Sequence, residues 1–279
     1  MALNWPSFFT RLGSAVVFCI IMMAGLLWNE WAFFALVVLI QALCLREYFR
    51  LMRKIYPDTA QPEWIPLSVQ AGAAGLLCLL AFGLFEPLIM PEGIITMDYW
   101  PGLLFLPTLL LIAGTLQKQS ALPATLQALG GICYIVLPAA LLLCLREKDM
   151  AIPLALILMI WMNDTMAYLV GSFIGKTPFS PVSPKKTWEG TAGGALLTIA
   201  GAAVWAGFAP GYRMADWIAL ALCASVAGTA GDLLESKLKR MAGVKDSGTM
   251  MPGHGGALDR FDSLLTAAPF AFCYAYFCM

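Results

Sequence analysis

Residues 151–170 form an almost wholly apolar stretch, AIPLALILMIWMNDTMAYLV. Its length matches the roughly 20 apolar residues that a helix needs to cross the hydrocarbon core of a bilayer. Only Asn163 and Asp164 interrupt it, and an ionised carboxylate at that depth is costly unless it is partnered or hydrated. We therefore predict a spanning helix whose two polar residues serve a function. A buried, hydrogen-bonded pair that joins two helices is the structural alternative.

The rest of the chain is similarly apolar. Of its 279 residues, 60% are hydrophobic and 12% are charged, and the mean hydropathy is +0.78, whereas a soluble domain carries about 25% charged residues. Too few polar side chains remain to cover a surface in water, so lipid must solvate most of the chain. We predict an all-α fold, a polytopic integral membrane helical bundle of about nine transmembrane helices. The predicted spans are residues 12–28, 31–47, 67–85, 102–117, 127–145, 151–170, 191–208, 215–234 and 263–278.

Other compositional features narrow the class of protein. The first apolar run lacks a clear cleavage-site pattern, so we predict a retained membrane anchor rather than a signal peptide. A net charge of zero argues against nucleic acid as a partner. The eight cysteines lie mostly inside apolar runs and form no C-x-x-C pair, which indicates reduced thiols acting as small apolar side chains.

The basic residues are distributed unevenly between the loops. With nine spans, fourteen of the 17 lysines and arginines fall on the side of the N-terminus and three on the other. Because cytoplasmic loops carry the excess of basic residues, this predicts a cytoplasmic N-terminus. The two long polar loops, 171–190 and 235–262, then face the cytoplasm as well, where nucleotides are found.

Two short patterns place charged groups near this cytoplasmic side. Lys185 and Lys186 are adjacent and flanked by hydroxyl side chains, a combination suited to a polyphosphate, although attraction to lipid headgroups explains such lysines equally well. Asp232 and Glu235 are three residues apart at the end of the eighth span, which puts them on one helix face. Simple solvation of acids at a helix end is the alternative there.

The last loop contains the most polar residues. Residues 236–263 have the sequence SKLKRMAGVKDSGTMMPGHGGALDRFDS. Carboxylates at Asp246, Asp259 and Asp262 offer hard oxygen ligands for Mg²⁺. Glycines on both sides of His254, the only histidine, let backbone N–H groups approach an anion. The pattern fits a metal–phosphate site, with an interfacial ion pair around Arg260 and a capping histidine as structural alternatives.

This loop resembles the signature of the phosphatidate cytidylyltransferase family, also called CDP-diacylglycerol synthases. The matching positions are Ser236, Lys239, Arg240, Lys245, Asp246, Gly248, Pro252, His254, Gly255, Gly256, Asp259, Arg260 and Asp262. Further family-like blocks are Asn163-Asp164-Thr165-x-Ala167-Tyr168, Ser183-Pro184-Lys185-Lys186-Thr187-x-Glu189-Gly190 and Gly231-Asp232-Leu233-x-Glu235-Ser236. The resemblance covers the chain from about residue 160 to its end. Met251 and Ala257 replace larger apolar residues of the pattern, and neither change affects a ligand-type side chain.

The resemblance implies transfer of CMP from CTP to phosphatidic acid, with a Mg²⁺ cofactor and room for a second cation. Residues 151–279 would then be the catalytic region, with about four spans and two loops, after about five spans in residues 1–150. The implied metal ligands are Asp232, Asp246, Asp259, Asp164 and Asp262. The implied catalytic residues are Asp246, Lys245, His254, Asp259 and Arg260. The implied substrate-binding residues are Lys185, Lys186, Thr187, Ser236, Lys239, Arg240, Gly255 and Gly256.

The expected partners are CTP, phosphatidic acid and membrane lipid, in a bacterial inner membrane with the active site facing the cytoplasm. The oligomeric state stays open, with a homodimer as one option. A cation-coupled membrane transporter is the alternative function, because it would use the same intramembrane acids. No inverted repeat of the kind that transporters carry is evident in the sequence. The D-G-x-x-A-R block of the CDP-alcohol phosphotransferases is absent from it.

Overall fold

The computed structural model describes residues 5–57, 67, 69–75, 77–78, 124–250 and 255–279. The described part of the chain is almost entirely helical, with one short β-hairpin. The helices are α1 (Trp5–Leu27), α2 (Glu30–Ile55), α3 (Ala124–Gly131), α4 (Leu137–Lys148), α5 (Ala151–Ile174), α6 (Trp188–Trp205), α7 (Met214–Leu222), α8 (Gly228–Met241) and α9 (Leu258–Cys278). Single π-helical turns, Ile132–Val136 and Cys223–Ala227, join α3 to α4 and α7 to α8. The hairpin pairs β1 (Pro178–Ser180) with β2 (Ser183–Thr187) in antiparallel orientation.

Five described helical stretches are long and apolar enough to cross a membrane: Glu30–Ile55, Leu126–Lys148, Ala151–Ile174, Met214–Met241 and Leu258–Cys278. They correspond to the second, fifth, sixth, eighth and ninth predicted spans. The first predicted span corresponds to a shorter apolar helix, Gly13–Leu27, and the seventh to α6. Of the remaining two, the third lies about half and the fourth wholly outside the described residues. The all-α, multi-pass membrane class is thereby confirmed, while the number nine stays a prediction.

The chain divides into two compact units, each assembled from several stretches of sequence. Unit 1 contains Met1–Leu88, Gln119–Leu143 and Leu238–Phe261, and unit 2 contains Ile89–Lys118, Cys144–Lys237 and Asp262–Met279. Each unit has described elements of its own. The predicted division at residue 150, into a first group of spans and a catalytic region, stays a prediction.

Helix α2 is the central element of unit 1. It begins after Asn29, whose side-chain oxygen accepts a hydrogen bond from the Ala32 N–H at 2.7 Å, and this satisfies one of the unpaired N–H groups of the first turn. Its buried face packs against α1 and α3. The buried Tyr48 hydroxyl donates to the Gln127 carbonyl at 3.1 Å, which ties α2 to α3.

Helices α5 and α6 pack closely in unit 2 because one face of α6 is lined by glycine. A Cβ added at Gly190, Gly194 or Gly201 would overlap α5, at Ala167, Asn163 and Met162 respectively. Small residues at one face let helix backbones approach and pack by van der Waals contact, which is how membrane helices associate. The close packing brings the polar residues of α5 next to the start of α6.

Candidate functional site

A cavity of about 490 Å³ opens in unit 2 among α5, β2, α6 and α8. This volume lies within the range of about 300–1,000 Å³ that small-molecule sites occupy. The residues that line it are Asn163, Asp164, Ala167, Tyr168, Gly171, Ser172, Lys185, Lys186, Thr187, Thr191, Thr229 and Asp232. Five of them are residues for which the sequence predicts a substrate or metal contact: Asp164, Lys185, Lys186, Thr187 and Asp232.

Helix α5 contributes the two polar residues that interrupt its apolar sequence. Asn163 is buried, and its side-chain carbonyl oxygen has no hydrogen-bond partner among the described residues. Asp164 is exposed and also lines the cavity. A buried acceptor without a partner is costly, so the oxygen of Asn163 is available to a donor or a cation that enters the cavity.

The β-hairpin presents Lys185 and Lys186 on strand β2. Glu189 holds the base of this hairpin, because its carboxylate accepts the Thr177 hydroxyl at 2.8 Å and the backbone N–H groups of Thr177 and Lys176 at about 3.1 Å. These hydrogen bonds, that of the Thr177 hydroxyl first, lower the pKa of Glu189 from 4.5 to about 2. The two lysines are therefore carried on a hairpin that is tied to the first turn of α6.

Thr187, which we predict to bind substrate, has a structural role as well. Its hydroxyl oxygen accepts the Gly190 N–H at 3.1 Å and caps the N-terminus of α6. Gly171 and Gly175 leave room for this side chain, since a Cβ at Gly175 would lie 2.5 Å from the Thr187 hydroxyl oxygen. The cap fixes the end of β2 and, with it, the direction of the adjacent Lys186.

Helices α8 and α9 bring three carboxylates together. Ligand oxygens of Asp232, Glu235 and Asp262 all lie within 4.8 Å of one another, and both Glu235 and Asp262 are buried. The close approach of α8 to α9 depends on Gly231, because a Cβ there would overlap the Asp262 carbonyl oxygen and the Thr266 hydroxyl. The three-residue spacing of Asp232 and Glu235 predicts that both lie on one face of a helix. The contribution of Asp262 from α9 is seen only in the structure.

The cluster also includes a cation. Lys186 forms an ion pair with Asp232, and each of the two side chains is 28% exposed. Asp262 interacts electrostatically with Asp164, Asp232 and Lys186. Ser236, predicted to bind substrate, makes a long contact of 3.4 Å to Asp232. One lysine cannot neutralise several converging carboxylates in a partly buried site.

The donor set fits a divalent cation. Carboxylate oxygens are the ligands that Mg²⁺ prefers, together with oxygens of amides and water. Asp232, Glu235 and Asp262 offer such oxygens at mutual distances that one ion could bridge, and a divalent charge would relieve their repulsion. Of the five predicted metal ligands, the structure places Asp232 and Asp262 in this cluster and Asp164 on the wall of the cavity.

Asp259, another predicted metal ligand, lies in unit 1 and is fully engaged there. Its Oδ1 accepts from Lys239 Nζ at 2.5 Å. Its Oδ2 accepts from the backbone N–H groups of Ser247, at 2.9 Å, and Gly256, at 2.7 Å. Gly255 adopts a positive φ of +83° beside this carboxylate, a conformation that favours glycine. The Gly256 N–H, which we predict to approach a phosphate, here donates to Asp259.

Glu47, the last residue of the predicted second span, is not among the site residues predicted from the sequence. In unit 1 its buried carboxylate accepts three hydrogen bonds from the region between α8 and α9: from the Ser247 hydroxyl at 2.7 Å, the Ala257 N–H at 3.0 Å and the Leu258 N–H at 2.9 Å. The available signal was a carboxylate among apolar residues, as at Asp164.

The remaining predicted site residues are exposed or lie outside the described residues. Lys245, Asp246, Arg240 and Arg260 are exposed, and none belongs to the carboxylate cluster. His254 lies outside the described residues. Their predicted roles therefore stay predictions.

Comparison with known proteins identifies relatives. A sequence model described as the cytidylyltransferase family matches residues 9–278. The chain is 41% identical over 126 residues to a phosphatidate cytidylyltransferase of Haemophilus influenzae, covering 43% of each chain. It is 40% identical over 144 residues to one of Staphylococcus saprophyticus, covering 50% of this chain and 55% of the relative. A relative of the same name in Staphylococcus aureus is 43% identical over 127 residues, or 44% and 48% of the two chains. The matches thus span about half the length of these curated relatives.

Proposed function

Because the chain belongs to the cytidylyltransferase family, we propose that it transfers the cytidylyl group of CTP to phosphatidic acid. The products are CDP-diacylglycerol and pyrophosphate. The observation that carries this proposal is the cavity in unit 2, which Lys185 and Lys186 line together with Asp232, one of three converging carboxylates. The names of the bacterial relatives supply the substrates.

The reaction needs little proton chemistry from the protein. A phosphate oxygen of phosphatidic acid forms a bond to the α-phosphorus of CTP, and the bond from that phosphorus to the bridging oxygen of the β-phosphate breaks. A phosphomonoester is largely dianionic near neutral pH, since its second pKa is about 6, so the nucleophile is already ionised. The main difficulty is bringing two anions together in line, which positioning and positive charge overcome.

The lysines of the hairpin would bind the phosphates. In the structure Lys186 pairs with Asp232, and in the complex we expect its ammonium group to contact a phosphate oxygen as well. The exposed Lys185 is free to follow the leaving pyrophosphate without a large change of the hairpin. Glu189 and Thr187 keep both lysines in place, because their hydrogen bonds fix the two ends of the strand region.

Asp232, Glu235 and Asp262 would hold the Mg²⁺ ion, and Asp232 shares the cavity wall with Asn163 and Asp164. When bound, the ion supplies positive charge that neutralises phosphate oxygens and orients them for in-line displacement. Glu235 thus replaces Asp246 and Asp259 in the ligand set that we propose. The exposed cations Arg240, Lys245 and Arg260 remain candidates for the headgroup and the pyrophosphate.

We propose the cellular setting from the charge distribution and the length of the predicted spans. Fourteen basic residues on one side of the predicted spans support an inner membrane enzyme whose site faces the cytoplasm. Phosphatidic acid would reach it from the lipid layer and CTP from the cytoplasm.

The direct test is product formation. Purified protein in mixed micelles of detergent and phosphatidic acid is incubated with labelled CTP, with Mg²⁺ or with a chelator, and lipids are extracted. We expect labelled CDP-diacylglycerol only with Mg²⁺ and phosphatidic acid. Folded protein that forms no labelled lipid in several detergents, and that moves a substrate across proteoliposomes unchanged, would replace this proposal with the transporter.

A further inference from the structure

One carboxylate of α2 holds both sides of the loop between α8 and α9 (residues 242–257, the α8–α9 loop). We propose that Glu47 is a positioning residue for the transfer reaction, acting on this loop without contacting substrate. The inference rests on the proposed function, because the loop carries Lys245, which is a candidate for binding the leaving pyrophosphate.

The geometry makes Glu47 a bridge between distant parts of the sequence. Its Oε2 accepts from the Ser247 hydroxyl at 2.7 Å and from the Leu258 N–H at 2.9 Å, and its Oε1 accepts from the Ala257 N–H at 3.0 Å. Ser247 lies before residues 248–256, and Ala257 and Leu258 lie after them. A single side chain therefore contacts described residues on both sides of residues 251–254, which lie outside the described part of the chain.

The neighbouring glycines fit this carboxylate closely. A Cβ at Gly248 or at Gly256 would overlap the Glu47 carboxylate oxygens. At neither position is glycine required by a positive φ, since within the described residues only Gly243 and Gly255 have one. We conclude that Gly248 and Gly256 leave space for Glu47, which gives these two positions of the signature a reason other than phosphate binding.

The charge of Glu47 is suited to its place. Leu258 is the first residue of α9, so the N–H groups of Ala257 and Leu258 have no acceptor within the helix. A negative charge at a helix N-terminus is stabilised by these N–H groups and by the helix dipole. Glutamine at position 47 would keep one acceptor oxygen but turn an NH₂ donor toward at least one of the three donors that now meet the carboxylate.

Asp259 holds the same loop through Ser247 and Gly256. Its Oδ2 accepts the Ser247 hydroxyl at 2.9 Å, in addition to the Ser247 and Gly256 N–H groups. The single hydroxyl proton of Ser247 can serve only one carboxylate at a time. Without Glu47, the Ser247 hydroxyl would donate to Asp259 alone, and the N–H groups of Ala257 and Leu258 would lose their acceptor. The loop would then become more mobile while the helices stay folded.

The test compares Glu47→Gln with Glu47→Asp, and uses Glu30→Gln as the matched control, since Glu30 is an exposed acid of the same helix. We expect Glu47→Gln to lower kcat/KM for CTP by about 10- to 100-fold, the effect of a misplacement of about 1 Å. The melting temperature should fall by only a few degrees, because buried N–H donors lose part of their acceptor while the helices stay folded. Glu47→Asp should restore part of the loss, and Glu30→Gln should match the wild type.

A second readout follows the loop itself. Trypsin cleavage after the exposed Lys245 should accelerate in Glu47→Gln, while cleavage after the exposed Lys176 of unit 2 should not change. Wild-type kcat/KM and an unchanged cleavage rate at Lys245 would overturn the proposal. So would a loss of activity that only follows a fall in melting temperature and that Glu47→Asp does not relieve.

Two further comparisons keep the outcome decisive. If Glu47→Gln does not fold, Ser247→Ala removes one of the same contacts from the loop side and should show the same pair of effects in weaker form. If the wild type has no transfer activity, the proposed function fails, and the cleavage rate at Lys245 alone decides whether Glu47 holds the loop.

Discussion

Replacing Gly231 by alanine tests how the carboxylate cluster is assembled. The added methyl group would overlap the Asp262 carbonyl oxygen and the Thr266 hydroxyl and would lie 3.0 Å from the Thr266 Cβ. Carbon atoms pack at about 3.5–4.0 Å, and the Asp262 oxygen belongs to the backbone, so a side-chain rotation cannot relieve the overlap. Helices α8 and α9 must separate by roughly 0.5–1 Å to restore that contact distance.

The separation acts directly on the cluster, because Asp232 adjoins Gly231 on α8 and Asp262 lies on α9. We expect turnover to fall by about 100-fold, the scale of a misplacement of about 1 Å. Overpacking of this kind costs about 1–3 kcal/mol. At roughly 2–4 °C per kcal/mol, the melting temperature should fall by roughly 2–12 °C relative to a matched alanine variant.

Gly228→Ala is that matched variant. Gly228 lies one turn earlier on α8, and a Cβ there meets its nearest neighbour, the Ser263 Cβ, at an ordinary 3.4 Å. Both substitutions gain the same helix propensity, about 1 kcal/mol. The difference in turnover and melting temperature between the two variants therefore reports the effect of the overlap alone. Labelled CDP-diacylglycerol formation and thermal denaturation in detergent measure the two effects. Wild-type turnover and stability in Gly231→Ala would refute the close packing on which the cluster depends.

Three further outcomes follow from the same site. Lys186→Gln should lower turnover by at least about 100-fold, since a charged phosphate clamp is lost beside converging carboxylates; an unchanged rate of lipid labelling would remove Lys186 from the phosphate site. Asp262→Asn should abolish the rise in melting temperature that Mg²⁺ gives the wild type over a chelator, and a retained rise would exclude Asp262 as a ligand. The lowered pKa of Glu189 means that its contribution to stability is present above its ordinary value of 4.5 and is lost as the pH falls toward about 2. The wild type should therefore lose melting temperature faster than Glu189→Gln over that range, and parallel curves would contradict the role of Glu189 at the hairpin.

The helical membrane class was predictable because it depends only on composition and on the length of the apolar stretches. A helix such as α5 needs only about 20 apolar residues to be recognised, and its observed bounds, Ala151–Ile174, extend the predicted span by four residues. The hairpin between α5 and α6 was predicted only as a polar loop. Its strands are three and five residues long, and Glu189 holds its base through contacts that no periodicity reveals.

The candidate site was predictable in part. The resemblance selects Asp164, Lys186 and Asp232, and the fold places all three on one cavity. Asp259 and Asp262 look equivalent in sequence, where both lie in the predicted loop 235–262, three residues apart. Asp259 lies in the first turn of α9, where it accepts nearby N–H groups, whereas Asp262 lies deeper and joins Asp232 and Glu235.

Glu47 shows why the rest could not be predicted. Its partners lie 200 to 211 residues further along the chain, and no local pattern connects positions so far apart. Gly248 and Gly256 carry the complementary signal, since their missing side chains leave the space that the carboxylate fills. From sequence alone, the same glycines predict an anion site, because a close backbone approach serves either purpose.

The magnesium site on α8 and α9 is tested most directly by labelled CDP-diacylglycerol formation, measured for the wild type, Glu235→Gln and Glu147→Gln side by side across a Mg²⁺ titration. Glu235 is fully buried in the carboxylate cluster, and Glu147 is an exposed acid at the end of α4. We expect Mg²⁺-dependent product from the wild type and Glu147→Gln, and a loss of at least about 100-fold in Glu235→Gln. Equal rates from all three proteins, or product from the wild type in a chelator, would contradict this expectation.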